Sequence, residues 1–296
     1  LSPLSHLIRR HSLQFHCFAD DIQLFISTKS VSTDTHSILT NCITEIKSWL
    51  QINFLKLNCD KSEIIIIGPK TLTKSTHNFA LNIDGIPVST SPHIRNLGVI
   101  FDQTLSFDKY TKQITKSAFF HLKNIARLRS SLSSTAAETL IHAFITSRLD
   151  YCNSLLYGSP SKITNKLQYI QNSAARLLTH SRTRDHITPV LYKLHWLPIP
   201  QRIQYKILLL TYKALHNLAP SYLADLLSRH TPTRNLRSAG TNLLTPSIRT
   251  KFRSWGDRAF SIAAPTLWNS LPHTIRDSSS LTTFKTSLKT HLFNTA

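Results

Sequence analysis

The sequence predicts an α+β protein, with a small piece of antiparallel strands and a helix followed by a larger helical piece. Three observations carry this. Up to about residue 104, short apolar runs, several of them alternating with polar residues, are separated by turn residues, as strands require. Beyond that point apolar residues recur every three or four positions, the period of helices packed on one side. The charge is also lopsided. Residues 1–100 hold 9 Lys and Arg against 7 Asp and Glu, whereas residues 101–296 hold 26 against 8, so +18 of the net +20 lies in the helical part.

In the first piece, residues 12–28 predict two strands around the acidic turn Asp20-Asp21. Phe15 and Cys17 share one face, and His16 and Phe18 the other. Ile38, Leu39, Cys42, Ile43, Ile46, Trp49 and Leu50 then mark a helix over about 34–53, with Asp34 or Thr35 as its N-cap. The run Lys61-Ser62-Glu63-Ile64-Ile65-Ile66-Ile67-Gly68 predicts a buried strand. Further strands are predicted near 79–88, around the Asp84-Gly85 turn, and near 94–101.

The second piece opens with a helix over 106–129, in which Lys112, Lys116, Lys123, Arg127 and Arg129 interleave with an apolar stripe. Thr135 and Glu138 form a capping box before the next helix. Helices over 161–179, 201–217, 220–229 and 281–293 follow, and the stretch 231–280, rich in Arg, Ser, Thr and Pro, predicts loose chain. This gives three regions, 1–104, 105–230 and 231–296.

Composition bounds what such a chain can be. Apolar residues make up 41% and charged residues 17%, which suits packed cores and argues against a disordered tail. The four cysteines (Cys17, Cys42, Cys59 and Cys152) are scattered, a poor disulfide framework and a poor zinc site, and they favour a reducing, intracellular setting. No apolar run reaches the roughly 20 residues that span a bilayer, so no membrane partner is expected. A strongly basic half attracts polyanions, and nucleic acid is the expected partner. The chain starts at Leu1 and contains no Met, which leads to the expectation of a fragment.

Two carboxylates at a rigid turn, Asp20 and Asp21, can hold a hard divalent cation, although Asp-Asp is also ordinary turn chemistry. Their context decides between the two. Phe18-Ala19-Asp20-Asp21 resembles the aromatic-x-Asp-Asp motif of reverse transcriptases. Leu57-Asn58-x-x-Lys61-Ser62-Glu63 resembles the signature that follows it in LINE-type (non-LTR) enzymes, with Ser62 where Thr is usual. His93-Ile94-Arg95-Asn96-Leu97-Gly98-Val99 is similar to the Leu-Gly-Val element at their primer-side hairpin. Segments such as Ser147–Asn153, Leu167–Arg176, His186–Leu191 and Ala264–Pro272 resemble the region downstream of the polymerase in Jockey-like proteins.

The resemblance implies an incomplete right-hand-polymerase palm over 1–104 and a thumb-like helical bundle beyond it. It implies that Asp20, assisted by Asp21, binds Mg2+ for two-metal nucleotidyl transfer, and that Phe18 packs under the hairpin beside the primer terminus. Lys61 would lie near the incoming dNTP, and Leu97, Gly98 and Val99 would grip the primer. RNA template and DNA primer are the implied partners, and a ribonucleoprotein of cytoplasm and nucleus the implied setting. Lys112, Lys116, Lys123 and Arg127 offer a phosphate-binding face. One departure matters. The family needs a further Asp on an earlier strand, and no acidic residue precedes Asp20. The chain alone is therefore expected not to polymerise DNA, and the alternative is a non-catalytic, nucleic-acid-binding remnant of a decayed element. Trp196, Trp255 and Trp268 could stack on bases, but their apolar neighbours favour core positions. The loose group His180, His186 and His195 matches no metal-ligand spacing.

Overall fold

The computed structural model describes residues 2–30, 32–69, 71, 73, 79–230, 242–245 and 253–295. The chain divides into two compact units, Leu1–Ser106 and Phe107–Ala296. The first combines helices with small antiparallel hairpins and the second is helical, a mixed α+β composition.

The first unit begins with helix α1 (Ser2–Arg10), which the sequence reading did not anticipate. Its signal was present, since Leu4, Leu7 and Ile8 stand at helical spacing and are buried against Cys42, Ile46 and Leu50 of helix α2 (Thr33–Ile52). The N-cap of α2 is Ser32, not Asp34 or Thr35. The Ser32 hydroxyl accepts the Thr35 N–H at 3.3 Å, the geometry that satisfies an orphan donor of the first turn. Strands β1 (Gln14–Phe18) and β2 (Asp21–Phe25) pair antiparallel, and Phe15, Ile22 and Leu24 lie on the α1–α2 core.

The Ile64–Ile67 run departs from the predicted buried strand. It makes a single parallel bridge, Ile64 to Thr90, and Ile67 is exposed. Strands β3 (Ala80–Ile83) and β4 (Ile86–Ser89) form a hairpin over a second small core of Leu81, Ile83 and Val88. The predicted strand near 94–101 is itself a hairpin, β5 (His93–Asn96) with β6 (Val99–Asp102). Among the described residues the strands thus form three separate two-stranded ribbons rather than one antiparallel sheet.

In the second unit, helix α3 (Asp108–Leu128) packs on α6 (Ser161–Thr179). Between them, α4 (Ser134–Ile141) runs through a π-helical turn, His142–Thr146, into α5 (Ser147–Asp150). Its cap is Ser133, whose hydroxyl accepts the Ala136 N–H, and not the Thr135–Glu138 box. The Pro-rich stretch 195–200 follows α7 (Ile187–Lys193). It leads directly into α8 (Ile199–Leu215), with Pro200 in the first turn where no N–H is needed. The helix predicted over 220–229 is one turn, α9 (Ser221–Ala224).

Within the predicted loose stretch, residues 231–241 and 246–252 lie outside the described residues. Its described remainder is largely helical, with α10 (Arg253–Gly256), α11 (Phe260–Ser270) and α12 (His273–Arg276), followed by α13 (Leu281–Asn294). Apolar burial overrides the polar composition there. Trp268, Leu271, Ile275, Phe284, Leu288 and Leu292 close one core with Leu208 and Tyr212 of α8. Tyr212 stacks on Phe284 at 4.3 Å and donates its hydroxyl proton to Ser278 O at 3.1 Å. Trp268 is 1% exposed and donates to Asn242 O at 2.8 Å, and Trp196 is buried as well, so both are core anchors.

Candidate functional site

The acidic pair sits on the β1–β2 hairpin. Phe18 pairs with Asp21, which leaves Ala19 and Asp20 as a two-residue loop, with Ala19 at φ +53°. Cross-strand partners share a face. Phe15 with Leu24 and Cys17 with Ile22 therefore occupy one side of the ribbon. His16 with Gln23 and Phe18 with Asp21 occupy the other. Asp20 and Asp21 are both exposed. Phe18, expected to pack under the hairpin, is 64% exposed.

The outward side of the hairpin is tied to the third ribbon. Gln23 Nε2 donates to Asn96 Oδ1 at 2.7 Å. In that ribbon, Asn96 pairs with Val99 and leaves Leu97 (φ +45°) and Gly98 (φ +82°) as the turn. Positive φ at both central positions is the type I′ pattern, and it gives Gly98 a local conformational reason beside any close approach of a ligand. Leu97 is exposed, but Val99 is 2% exposed. The Val99 side chain alternates inward on β6 and is buried, whereas Leu97 and Gly98 form the exposed turn.

The Leu57–Glu63 segment reaches the same ribbon. Asn58 Oδ1 accepts the Lys61 N–H at 3.3 Å and closes the 3-10 turn Cys59–Lys61, while the Ser62 hydroxyl donates to Asn58 O at 3.0 Å. Glu63 Oε2 accepts the Arg95 N–H at 3.4 Å. Lys61 itself is exposed. Adjacent residues of β5, Arg95 and Asn96, thus receive the other two motifs.

Several other carboxylates of this unit are committed elsewhere. Asp84 pairs with Lys47, and Glu45 with Arg10 at 3.0 Å. Asp102, buried at 6% exposure, accepts from the backbone and hydroxyls of Thr104 and Ser106. Among the described residues, no group of three or more His, Cys, Asp or Glu is placed to hold a metal ion. Asp20 and Asp21 offer oxygen donors of the right hardness, but two adjacent exposed carboxylates do not make a two-ion site.

The basic face lies in the second unit. Tyr110, Thr111, Ile114, Ala118, Leu122 and Ile125 form the buried stripe of α3. Lys112, Lys116, Lys123 and Arg127 are exposed. Their 4-7-4 spacing gathers them within about 60° of helix surface, opposite the core. Lys112 pairs with Asp108 at 2.6 Å and Lys166 reaches the same carboxylate at 3.4 Å. The Lys112 hydrogen bond holds the Asp108 carboxyl below its ordinary range, with partial desolvation opposing it and Lys166 adding to it.

Arg129 is not part of this face. It is buried and donates to Leu177 O, Leu178 O and Leu132 O, which closes the carboxyl end of α6. Sequence periodicity alone does not separate it from Arg127. His180, His186 and His195 are exposed, and two of them, His180 and His195, occupy left-handed backbone positions. Among the described residues, no helix is long and apolar enough to cross a membrane.

The chain is similar over 165 residues, at 23% identity, to the probable RNA-directed DNA polymerase from transposon BS of Drosophila melanogaster. The match takes in 55% of this chain and 18% of that protein. No family model and no solved structure matches the chain. The similarity supports a relation to transposon-encoded reverse transcriptases.

Proposed function

We propose that the chain is the C-terminal part of the RNA-directed DNA polymerase of a non-LTR, LINE-type and Jockey-like retrotransposon. The observation that carries this reading is the convergence on β5. Gln23, behind Asp20-Asp21, and Glu63, beside Lys61, both bond to the ribbon bearing Leu97 and Gly98. Three motifs far apart in sequence thus gather in one unit, as a palm requires. The similarity to a transposon polymerase supports the same reading.

In this reading the first unit is part of a palm and the second a thumb-like bundle. Asp20 and Asp21 contribute to the Mg2+ site of the intact polymerase. Lys61 stands near the incoming dNTP. Lys112, Lys116, Lys123 and Arg127 contact phosphates of the RNA template and DNA primer without reading bases. The intact protein works in a ribonucleoprotein of cytoplasm and nucleus. By itself the chain binds nucleic acid but does not extend a primer, because its carboxylate set is incomplete. A second reading is a non-catalytic, nucleic-acid-binding remnant of a decayed element; among the described residues no group of three or more His, Cys, Asp or Glu is placed to hold a metal ion.

Binding of the purified chain to a fluorescent RNA–DNA duplex across a salt series tests the grip, and primer extension with Mg2+ tests the chemistry. Steeply salt-dependent binding without extension is the expected result. Absence of binding at low salt would remove the thumb-like reading, and extension by the chain alone would overturn the incomplete site. In the intact polymerase, Asp20→Asn should abolish extension. If it does not, the carboxylate assignment fails.

A further inference from the structure

Beside the basic stripe of α3 runs a surface ladder of rings. Phe120 is 63% exposed and meets His121 edge-on at 5.4 Å. His121 stacks on Phe144 at 4.8 Å and 18°, and Phe144 is itself 38% exposed. The Arg148 guanidinium caps the series, 5.9 Å from the centre of the Phe144 ring. Arg148 is held there by its own bonds, Nε to Ser117 Oγ at 3.1 Å and Nη1 to Phe144 O at 2.8 Å. The ladder thus joins α3 to the π-helical turn His142–Thr146, and its Arg148 end is held by hydrogen bonds.

Large exposed rings are unusual beside so much charge, and the pattern of charge selects what they fit. Lys116 and Lys123 stand one turn before and one turn after Phe120 on the same exposed side of α3. Between Asp108 and Glu138 the sequence has no acidic residue. An acidic protein surface would satisfy the lysines but not the rings, and an apolar helix the rings but not the lysines. A base attached to a phosphate satisfies both at this spacing.

We propose that Phe120, backed by His121, Phe144 and Arg148, forms a stacking platform for the bases of a single-stranded nucleic acid, with Lys116 and Lys123 holding its phosphates. The platform rests on the nucleic-acid reading of α3 and adds to it the state of the ligand: unpaired bases, whose faces are open, rather than a duplex, whose base faces are hidden. Recognition is through ring faces and charge, so it tolerates any sequence. His121 suits the middle of the ladder. Partial burial, and then the Arg148 charge, push its pKa below the usual histidine value.

The test is fluorescence anisotropy of the full chain with two probes, a short single strand carrying 2-aminopurine and an RNA–DNA duplex. Phe120→Ala should weaken single-strand binding roughly tenfold and relieve the quenching of 2-aminopurine, with duplex affinity unchanged. Phe120→Trp should restore both, because a larger ring still stacks, whereas Phe120→Leu should not. Since Phe120 projects into solvent, none of these changes threatens the fold. Equal binding of single strands by the wild type and Phe120→Ala overturns the platform and leaves the duplex grip standing. So does a wild type that binds only duplex. Failure to bind either probe overturns both.

Discussion

Gln23 and Asn96, 73 residues apart, are joined by a 2.7 Å side-chain hydrogen bond that links the acidic hairpin to the ribbon bearing Leu97 and Gly98. Both side chains are half-buried, so water competes only in part for the bond. A double-mutant cycle with Gln23→Ala and Asn96→Ala in urea unfolding should give a coupling of about 0.5–1.5 kcal/mol. Zero coupling would mean that the two ribbons are held by backbone and apolar contacts alone.

Gly98 sits at φ +82° after Leu97 at +45°. Alanine there must adopt a left-handed conformation that costs an L-residue about 1–2 kcal/mol. Gly98→Ala should lower the unfolding free energy by that amount, with a lower urea midpoint, and Gly98→Asn by less, since Asn tolerates the region. An unchanged midpoint for Gly98→Ala would contradict the type I′ turn.

Arg127 and Arg129 lie two residues apart in one basic run and have opposite fates. Arg129 closes the end of α6 through Leu177 O and Leu178 O, where a cation also meets the negative end of the helix, and bonds to Leu132 O as well. Arg129→Met should cost about 2–4 kcal/mol, since the carbonyls lose charged donors, and Arg127→Met less than about 0.5 kcal/mol. Comparable thermal melts for the two variants would refute the assignment.

The same pair shows what the sequence could and could not reveal. Periodicity places both arginines near the end of α3, but whether a long side chain turns inward depends on α6, nearly 50 residues away. The β1–β2 hairpin was legible, because alternation and the Asp-Asp turn are local. The cap of α2 was misplaced because Ser32, Asp34 and Thr35 are all competent caps, and tertiary packing selects among them. Ile64–Ile67 read as a buried strand from composition alone, yet one bridge and an exposed Ile67 result, because a strand needs a partner the sequence does not identify. Residues 253–295 read partly as loose chain, since their few apolar residues matter only once α8 gathers them. The convergence of three motifs on β5 was invisible in one dimension.

Cys42 and Cys17 should differ sharply in thiol chemistry. Cys42 is fully buried, and burial, with Glu45 adding to it, pushes its thiol up to about 11. Cys17 is exposed on the hairpin. Alkylation near pH 8 should label Cys17 readily and reach Cys42 only on unfolding. Because the folded-state value is raised, the protonated thiol's contribution to stability is intact below about pH 9 and declines as pH climbs towards 11. Prompt labelling of Cys42 in the folded chain would show that the α1–α2 core opens.

The four exposed cations of α3 should not contribute equally to nucleic-acid binding. Lys112 already neutralises Asp108 at 2.6 Å, so a phosphate there must compete with a carboxylate. Salt dependence counts released counterions, and each lost phosphate contact lowers the slope of log K against log salt by about 0.7–0.9. Lys116→Gln, Lys123→Gln and Arg127→Gln should each lower the slope by about that step, whereas Lys112→Gln should lower it by less. Asp108→Asn should raise affinity, because it frees Lys112 and Lys166 together. An Asp108→Asn variant that binds no tighter, with four equal decrements along the helix, would show that Lys112 swings clear of its partner in solution and works as the other three do.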